Sequence, residues 1–137
     1  QKTNMINVLK TKKIKEAIAN QPEQVQEIID NEKEMGICIT NEGGNFVTVN
    51  PRYLEIYGYD KEEVLGAHFS MMLPPADAKK LSSRHDAFIE NKHEIIRNWE
   101  VVNKAGEVLK ISADAGYSEQ IFDKTPHKIT FVDYNSL

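Results

Sequence analysis

Four histidines, one cysteine and twenty-one carboxylates are the side chains from which a catalytic or metal site would have to be built in this 137-residue chain. Catalysis needs a nucleophile beside a base, a metal cluster, or paired carboxylates in a cleft, and the spacing offers none of these. Cys38 stands in an apolar, strand-like run with no partner nearby in sequence. There is no second cysteine, no His-Glu-x-x-His pair and no kinase signature, and Gly43-Gly44 lacks the fuller glycine pattern of a phosphate loop. Glu62-Glu63 reads as solvated surface. The segment is therefore expected not to be an enzyme. Among the histidines, His85 is the one placed for chemistry. Leu81, His85, Phe88 and Ile89 fall at i, i+4, i+7 and i+8 and share one helix face. A neutral imidazole looking inward from an otherwise apolar face can reach a metal through its nitrogen; the plainer alternative is a core histidine satisfied by one hydrogen bond. His68 in a link, His93 after the long helix and His127 beside Pro126 read as surface or simple packing.

The elements that must position these residues follow from local rules. Two helices open the chain. The first, Asn4 to Ala19, carries Met5, Leu9, Ile14 and Ile18 as its apolar stripe; the second, Pro22 to about Lys33, presents Val25, Ile28 and Ile29. Pro22 separates them, because proline disfavours helix in the residue before it and suits the first turn of the next. Helices this short need something to pack on: a sheet face, each other, or a second copy of the chain. Gly36 to Thr40 and Asn45 to Val49 are β-prone runs around Asn41-Glu42-Gly43-Gly44, a hairpin pattern. Alternation puts Ile37 and Ile39 on one face and Cys38 and Thr40 on the other, with Phe46 opposite Val47 and Val49. Asn50-Pro51 caps and starts a helix ending at Gly58, and Asp60 with Glu63 forms a capping box for a helix that stops at Gly66. After the link 67–75, the longest helix spans about 76–91. Strands follow at Ile95 to Asn103, with Arg97 and Trp99 on one face, at Glu107 to Ala115, and at Lys128 to Asp133. The fold class is α+β: a five-stranded antiparallel sheet with helices on one face, preceded by two helices.

Bulk numbers narrow the partners. The length suits one domain, 40% of residues are apolar, and no run approaches a membrane span. No signal-peptide pattern and a lone cysteine fit a cytoplasmic, reducing setting, while Gln1 in place of a start methionine leads us to expect an excerpt of a longer protein, with room in the remainder for a membrane anchor or an output enzyme. Residues 1–20 carry five lysines against Glu16, so the whole-chain net of −4 leaves −8 on the remainder. An acidic body argues against a nucleic-acid partner.

The residues Asn50, Pro51, Gly58, Tyr59, Glu63, Leu65 and Gly66, with the later turn Lys104-Ala105-Gly106-Glu107, resemble the PAS domain family. The resemblance covers about 34–135, leaving 1–33 as flanking helices and 136–137 as the start of a linker. It implies a sensory module of a bacterial or archaeal signalling protein, such as a two-component system, covalently joined to an output domain. It also implies helices that commonly dimerise, so a homodimer through the first two helices is expected beside the alternative of packing within the chain. Arg84-His85-Asp86-Ala87-Phe88 is similar to the haem-binding oxygen sensors of that family, which makes His85 the axial iron ligand, puts Phe88 at a tyrosine position, and offers Arg97 as the residue near bound oxygen. The link 66–72 has no cysteine, which argues against flavin photochemistry. A third alternative is a small organic ligand between sheet and helices, lined by Ile39, Val49, Tyr53, Phe69, Leu81, His85, Ile96 or Trp99, and Phe131, with Arg97 or Trp99 adding polarity. A ligand-free dimerisation domain is the remaining alternative. The exit reads Asp133-Tyr134-Asn135, matching the family's frequent Asp-Ile-Thr only at the aspartate.

Overall fold

A computed structural model describes residues 6–75 and 97–134, with the backbone alone described at 97–99. The expected long helix at 76–91, with Leu81, His85 and Phe88, and also His93 and Ile96, lies outside the described residues.

The chain opens with α1 (Val8–Asn20), whose first turn is capped by the Asn7 side chain accepting the Lys10 N–H at 3.1 Å. A 3₁₀ turn at Pro22–Gln24 leads into α2 (Val25–Asp30). The hairpin β1 (Gly36–Asn41) and β2 (Phe46–Val49) turns through Asn41–Gly44, as its residues require. Then come α3 (Pro51–Tyr57), α4 (Lys61–Val64) and a 3₁₀ turn at Phe69–Met72. The remaining strands are β3 (Arg97–Val102), β4 (Val108–Ser118) and β5 (His127–Asp133). They form one antiparallel sheet in the order β2-β1-β5-β4-β3, so the first and last strands lie side by side at its centre. No helix among the described residues is long and apolar enough to cross a membrane.

Alternation along the strands divides the apolar residues into two cores. On the inner face, Cys38, Val49, Val101, Leu109, Ile111, Ala113 and Val132 meet Tyr53, Ile56 and Tyr57 of α3, Val64 of α4, and Met72. On the outer face, Ile37, Ile39, Ile129 and Phe131 meet Ile18 of α1 and Val25 and Ile29 of α2. The two opening helices thus cover the face that the other helices leave bare.

Two expectations about facing are corrected. Phe46 and Val49 lie in the same core, because Thr40 pairs with Phe46 while Ile39 pairs with Thr48, a bulge that steps over Val47 and flips the parity. Leu9 is 72% exposed and does not belong to the buried stripe of α1, which runs through Thr11, Ile14 and Ile18. At about 100° per residue, the nine positions from Leu9 to Ile18 put the two on opposite sides of the helix. Of the supports expected for the two apolar stripes, a sheet face, each other or a second copy of the chain, the structure shows the chain's own sheet, with Val8 and Leu9 left outward.

α3 sits unusually close to β1. A Cβ on Gly36 would lie 2.9 Å from the Tyr53 Cα and 3.1 Å from Ile56 Cδ1, so only glycine admits that approach. α3 ends at Gly58 in the left-handed region, φ 79°, its N–H bonded to the Leu54 carbonyl at 2.8 Å. The capping glutamate of α4 is in place: Glu63 Oε1 accepts the Asp60 N–H at 2.9 Å, and its other oxygen meets Lys104 Nζ at 2.7 Å.

Candidate functional site

Three neutral polar side chains meet inside the inner core. Cys38 comes from β1, and Tyr53 and Tyr57 stand one helical turn apart on α3, their rings 4.5 Å between centroids. Phe46 closes edge-on against Tyr53 at 5.8 Å. The Cys38 thiol neighbours the Tyr53 phenol and Thr130, its partner across β5, and the Tyr53 and Tyr57 rings lie side by side. Burial pushes the Cys38 thiol up to about 11 and holds both phenols well above their ordinary values. All three are therefore protonated near neutrality. They can donate and accept hydrogen bonds but cannot act as nucleophile or base. Among the described residues no group of three histidine, cysteine or acidic side chains is arranged to hold a metal.

The same helix reaches the two places where the chain passes into and out of the sheet. Asn50, fully buried, caps it by accepting the Tyr53 N–H at 3.0 Å; the same oxygen accepts the Ile37 N–H of β1 at 2.8 Å. Its amide nitrogen faces the carbonyls of Ile29, Glu32 and Met35 at 3.0, 3.1 and 3.1 Å, tying the end of α2 and the following link to α3. One residue on from Pro51, Arg52 donates to the Glu34 carbonyl just before β1 at 3.2 Å and to the Tyr134 carbonyl just after β5 at 3.5 Å, with Glu55 steadying it at 3.3 Å. A polar hollow of about 490 Å³ opens here, with Lys10, Lys33, Arg52 and Asp133 in its walls. Burial raises the Asp133 carboxyl above its ordinary value, against the pull of Arg52.

The residues singled out from sequence are distributed as follows. Tyr53 is in the inner core and Phe69 packs half-buried against it, with Val49. Ile39 and Phe131, offered as lining for the same space, belong to the outer core, since each is one strand position out of step with the inner-facing Cys38 and Val132. In backbone register Arg97 stands opposite Ala113 and Trp99 opposite Ile111. His85, Phe88 and Leu81 fall outside the described residues. The other described histidines are structural: His68 accepts the Ser70 N–H at 3.1 Å and stacks on Phe69, and the buried His127 bonds the Thr125 carbonyl through Nδ1 at 2.6 Å. Sequence reasoning missed Cys38, Tyr57, Asn50 as more than a cap, and Arg52. Only the i, i+4 spacing of Tyr53 and Tyr57 would have revealed any of these.

No curated protein matches the chain. Solved structures do. The PAS domain of a protein from Colwellia psychrerythraea aligns with a TM-score of 0.69 at 19% identity, covering 82% of this chain and 94% of that one. A domain of the sensory box sensor histidine kinase/response regulator from Geobacter sulfurreducens aligns at 0.63 and 15% identity, covering 95% and 99%. The PAS domain of the RpfR quorum-sensing receptor from Cronobacter turicensis, in complex with C12:0, aligns at 0.64 and 19% identity, covering 77% and 98%. At these identities the likeness speaks to the fold. The family model described as the PAS fold matches residues 46–129, more than half of the sequence and the stretch that contributes Asn50, Arg52, Tyr53 and Tyr57, so the chain belongs to the PAS fold family.

Proposed function

We propose that this chain is the sensory module of a larger signalling protein, in which α3 passes the state of the inner face to the two ends of the domain. One observation carries the reading: a seven-residue helix holds Tyr53 and Tyr57 against the inner polar group and, on the adjacent residue, Arg52 against the carbonyls of Glu34 and Tyr134. Hydrogen bonds fail within a few tenths of an ångström beyond 3.5 Å. A shift of α3 large enough to let a small molecule meet the phenols would therefore release Arg52 from one or both carbonyls. A ligand moves such an equilibrium only by binding its two states differently, and the helix supplies that difference. An apolar face with a few convergent neutral donors suits a small, largely apolar molecule, and the likeness to a domain holding C12:0 supports that class. The likeness to a histidine kinase domain supports a covalently joined output domain.

The test is native mass spectrometry and an absorption spectrum of the protein as purified, repeated after adding C12:0 and after adding haem, on the wild type and on Tyr53→Leu and His85→Ala. A bound small molecule, or C12:0 uptake, that Tyr53→Leu weakens supports the reading. A Soret band that His85→Ala abolishes would replace it with haem sensing. Absence of any bound species in all samples would sink ligand input and leave a domain that works through protein contacts, such as a homodimer.

A further inference from the structure

A charged side chain on the inner face has no part in the reading above. Lys128, near the start of β5, is only 7% exposed. Side chains alternate along a strand. Val132 belongs to the inner core while Ile129 and Phe131 belong to the outer one, so Lys128 and Thr130 face inward with Val132. Across the sheet Lys128 stands between Thr40 of β1 and Tyr117 of β4, each in step with an inner-core residue of its own strand, Cys38 and Ala113. The ammonium acts through space on the buried Cys38 thiol. Lysine is among the side chains least often taken out of water, because an unmet buried charge is costly.

Thr130, two residues on, marks where there is room. It lies on a central strand directly between Cys38 of β1 and Ala115 of β4, which are 4% and 7% exposed, yet Thr130 itself is only half-buried. A residue in the middle of a sheet face keeps such exposure only where the packing above does not close over it. β4 contributes to the opening, since Ala115 and Ala113, beside Thr130 and Val132, fill little of the space a larger side chain would take. The other described polar groups around it, Thr40, Cys38, Tyr53 and Tyr117, are neutral; burial holds the last three protonated.

In such a place the ammonium discriminates between ligands and the neutral groups do not. The fold has already removed Lys128 from water, so only the ligand's own desolvation opposes a pairing there. An ammonium carries three protons and can hold an anion beside an existing neighbour. A single ammonium among these neutral groups balances one negative charge, which fits a carboxylate better than a dianionic phosphate. We propose that Lys128 sets the charge of the ligand: the inner face takes an amphiphilic monocarboxylate, its ionised head at Lys128 and Thr130 and its apolar body over Ala115 and Ala113. The inference rests on the sensory reading above and narrows its ligand class.

Calorimetric titration of the whole chain at pH 7 with matched probes, octanoate against 1-octanol and decanoate against 1-decanol, tests it. Each pair shares a tail and differs in the charge of its head. The acids should bind the wild type at least ~tenfold more tightly than their alcohols, the scale of a hydrogen bond to a charged group. Lys128→Met keeps the stem and should abolish that ratio by weakening the acids while leaving the alcohols unchanged; Lys128→Arg should keep the ratio. Should Lys128→Met not fold, the wild-type ratio and Lys128→Arg decide. Acids and alcohols binding equally would overturn the role of Lys128 and leave a ligand sensor without charge selection. An acid preference that survives in Lys128→Met would place the head elsewhere and overturn it too. Binding of no probe would overturn the monocarboxylate class, while the mass spectrum of the protein as purified decides the ligand reading separately.

Discussion

Replacing Asn50 by alanine tests how much of the domain hangs on one amide. Its side chain touches five backbone groups, two N–H donors through Oδ1 and three carbonyls through Nδ2. An amide nitrogen has two protons, so three carbonyls at 3.0 to 3.1 Å share two hydrogen bonds at full strength. The loss is then about four bonds at ~1 kcal/mol each, or about 4 kcal/mol, more if water does not reach the stranded groups. The usual cost of losing a helix N-cap is only ~1 kcal/mol. Set against a typical domain stability of about 5–15 kcal/mol, 4 kcal/mol is a large share. With an m-value of about 2 kcal/mol/M, the urea midpoint should fall by about 2 M. The aspartate variant sharpens the test. It keeps the oxygen that caps α3 but turns a carboxylate toward three carbonyls, so at neutral pH it should be no more stable than the alanine variant. A midpoint shift below about 0.5 M for alanine, or rescue by aspartate, would show that Asn50 acts as a cap alone and that the link between α2 and β1 is held by other means.

Two further outcomes follow from the ionisable groups. Cys38, buried and with its thiol held up near 11, should resist a thiol-specific disulfide reagent at pH 8 in the folded protein and react promptly in denaturant; fast reaction of the native form would mean that the inner core opens readily. Asp133 has its folded pKa raised from 3.8 by burial, so the charged form disfavours folding, and stability relative to an uncharged residue is lost as pH rises through the folded pKa. Asp133→Asn should therefore raise the melting temperature at pH 7 and lose that advantage below the ordinary carboxylate range, and an equal advantage at all pH values would assign the effect to something other than charge.

What could be read from the sequence was local. The turn at Asn41–Gly44, the Asn50 cap, the stop at Gly58 and the Glu63 capping box each depend on residues within four positions, and each is where its chemistry puts it. The opposite facing of Cys38 and Ile39 followed from strand parity and holds because both neighbouring pairings keep register there. Parity failed at Val47, where one extra residue on β2 is invisible until its partner strand is known. Ile39 and Phe131 were placed with Tyr53 because parity does not say which face is the inner one: Ile39 shares a face with Ile37, and Phe131 joins them only through its pairing with Ile37 across β1 and β5. Leu9 falls off the stripe because the single interval of five between Leu9 and Ile14 turns the helix about 140° past a face that repeats every 3.6 residues. The inner polar group was out of reach for a different reason. Cys38 and Tyr53 are fifteen positions apart and Thr130 is on the last strand, so only the sheet order brings them together.

That order also bears on how an inner event could reach the outer face. β1 and β5 are central neighbours, and each presents alternate residues to both cores: Cys38 and Val132 inward, Ile37, Ile39, Ile129 and Phe131 outward. Thr130, within reach of the Cys38 thiol, stands between Ile129 and Phe131, which lie in the outer core with Ile18 of α1. A close-packed interior does not absorb such shifts. A displacement of β5 that follows a change at Cys38 must move the outward residues on either side of it by a similar amount. α1 is seated on those residues through Ile18, and on Asp114 of β4, the next strand in the sheet, through the Thr11 hydroxyl. Relative motion of β5 and β4 would therefore strain the seat between its two halves.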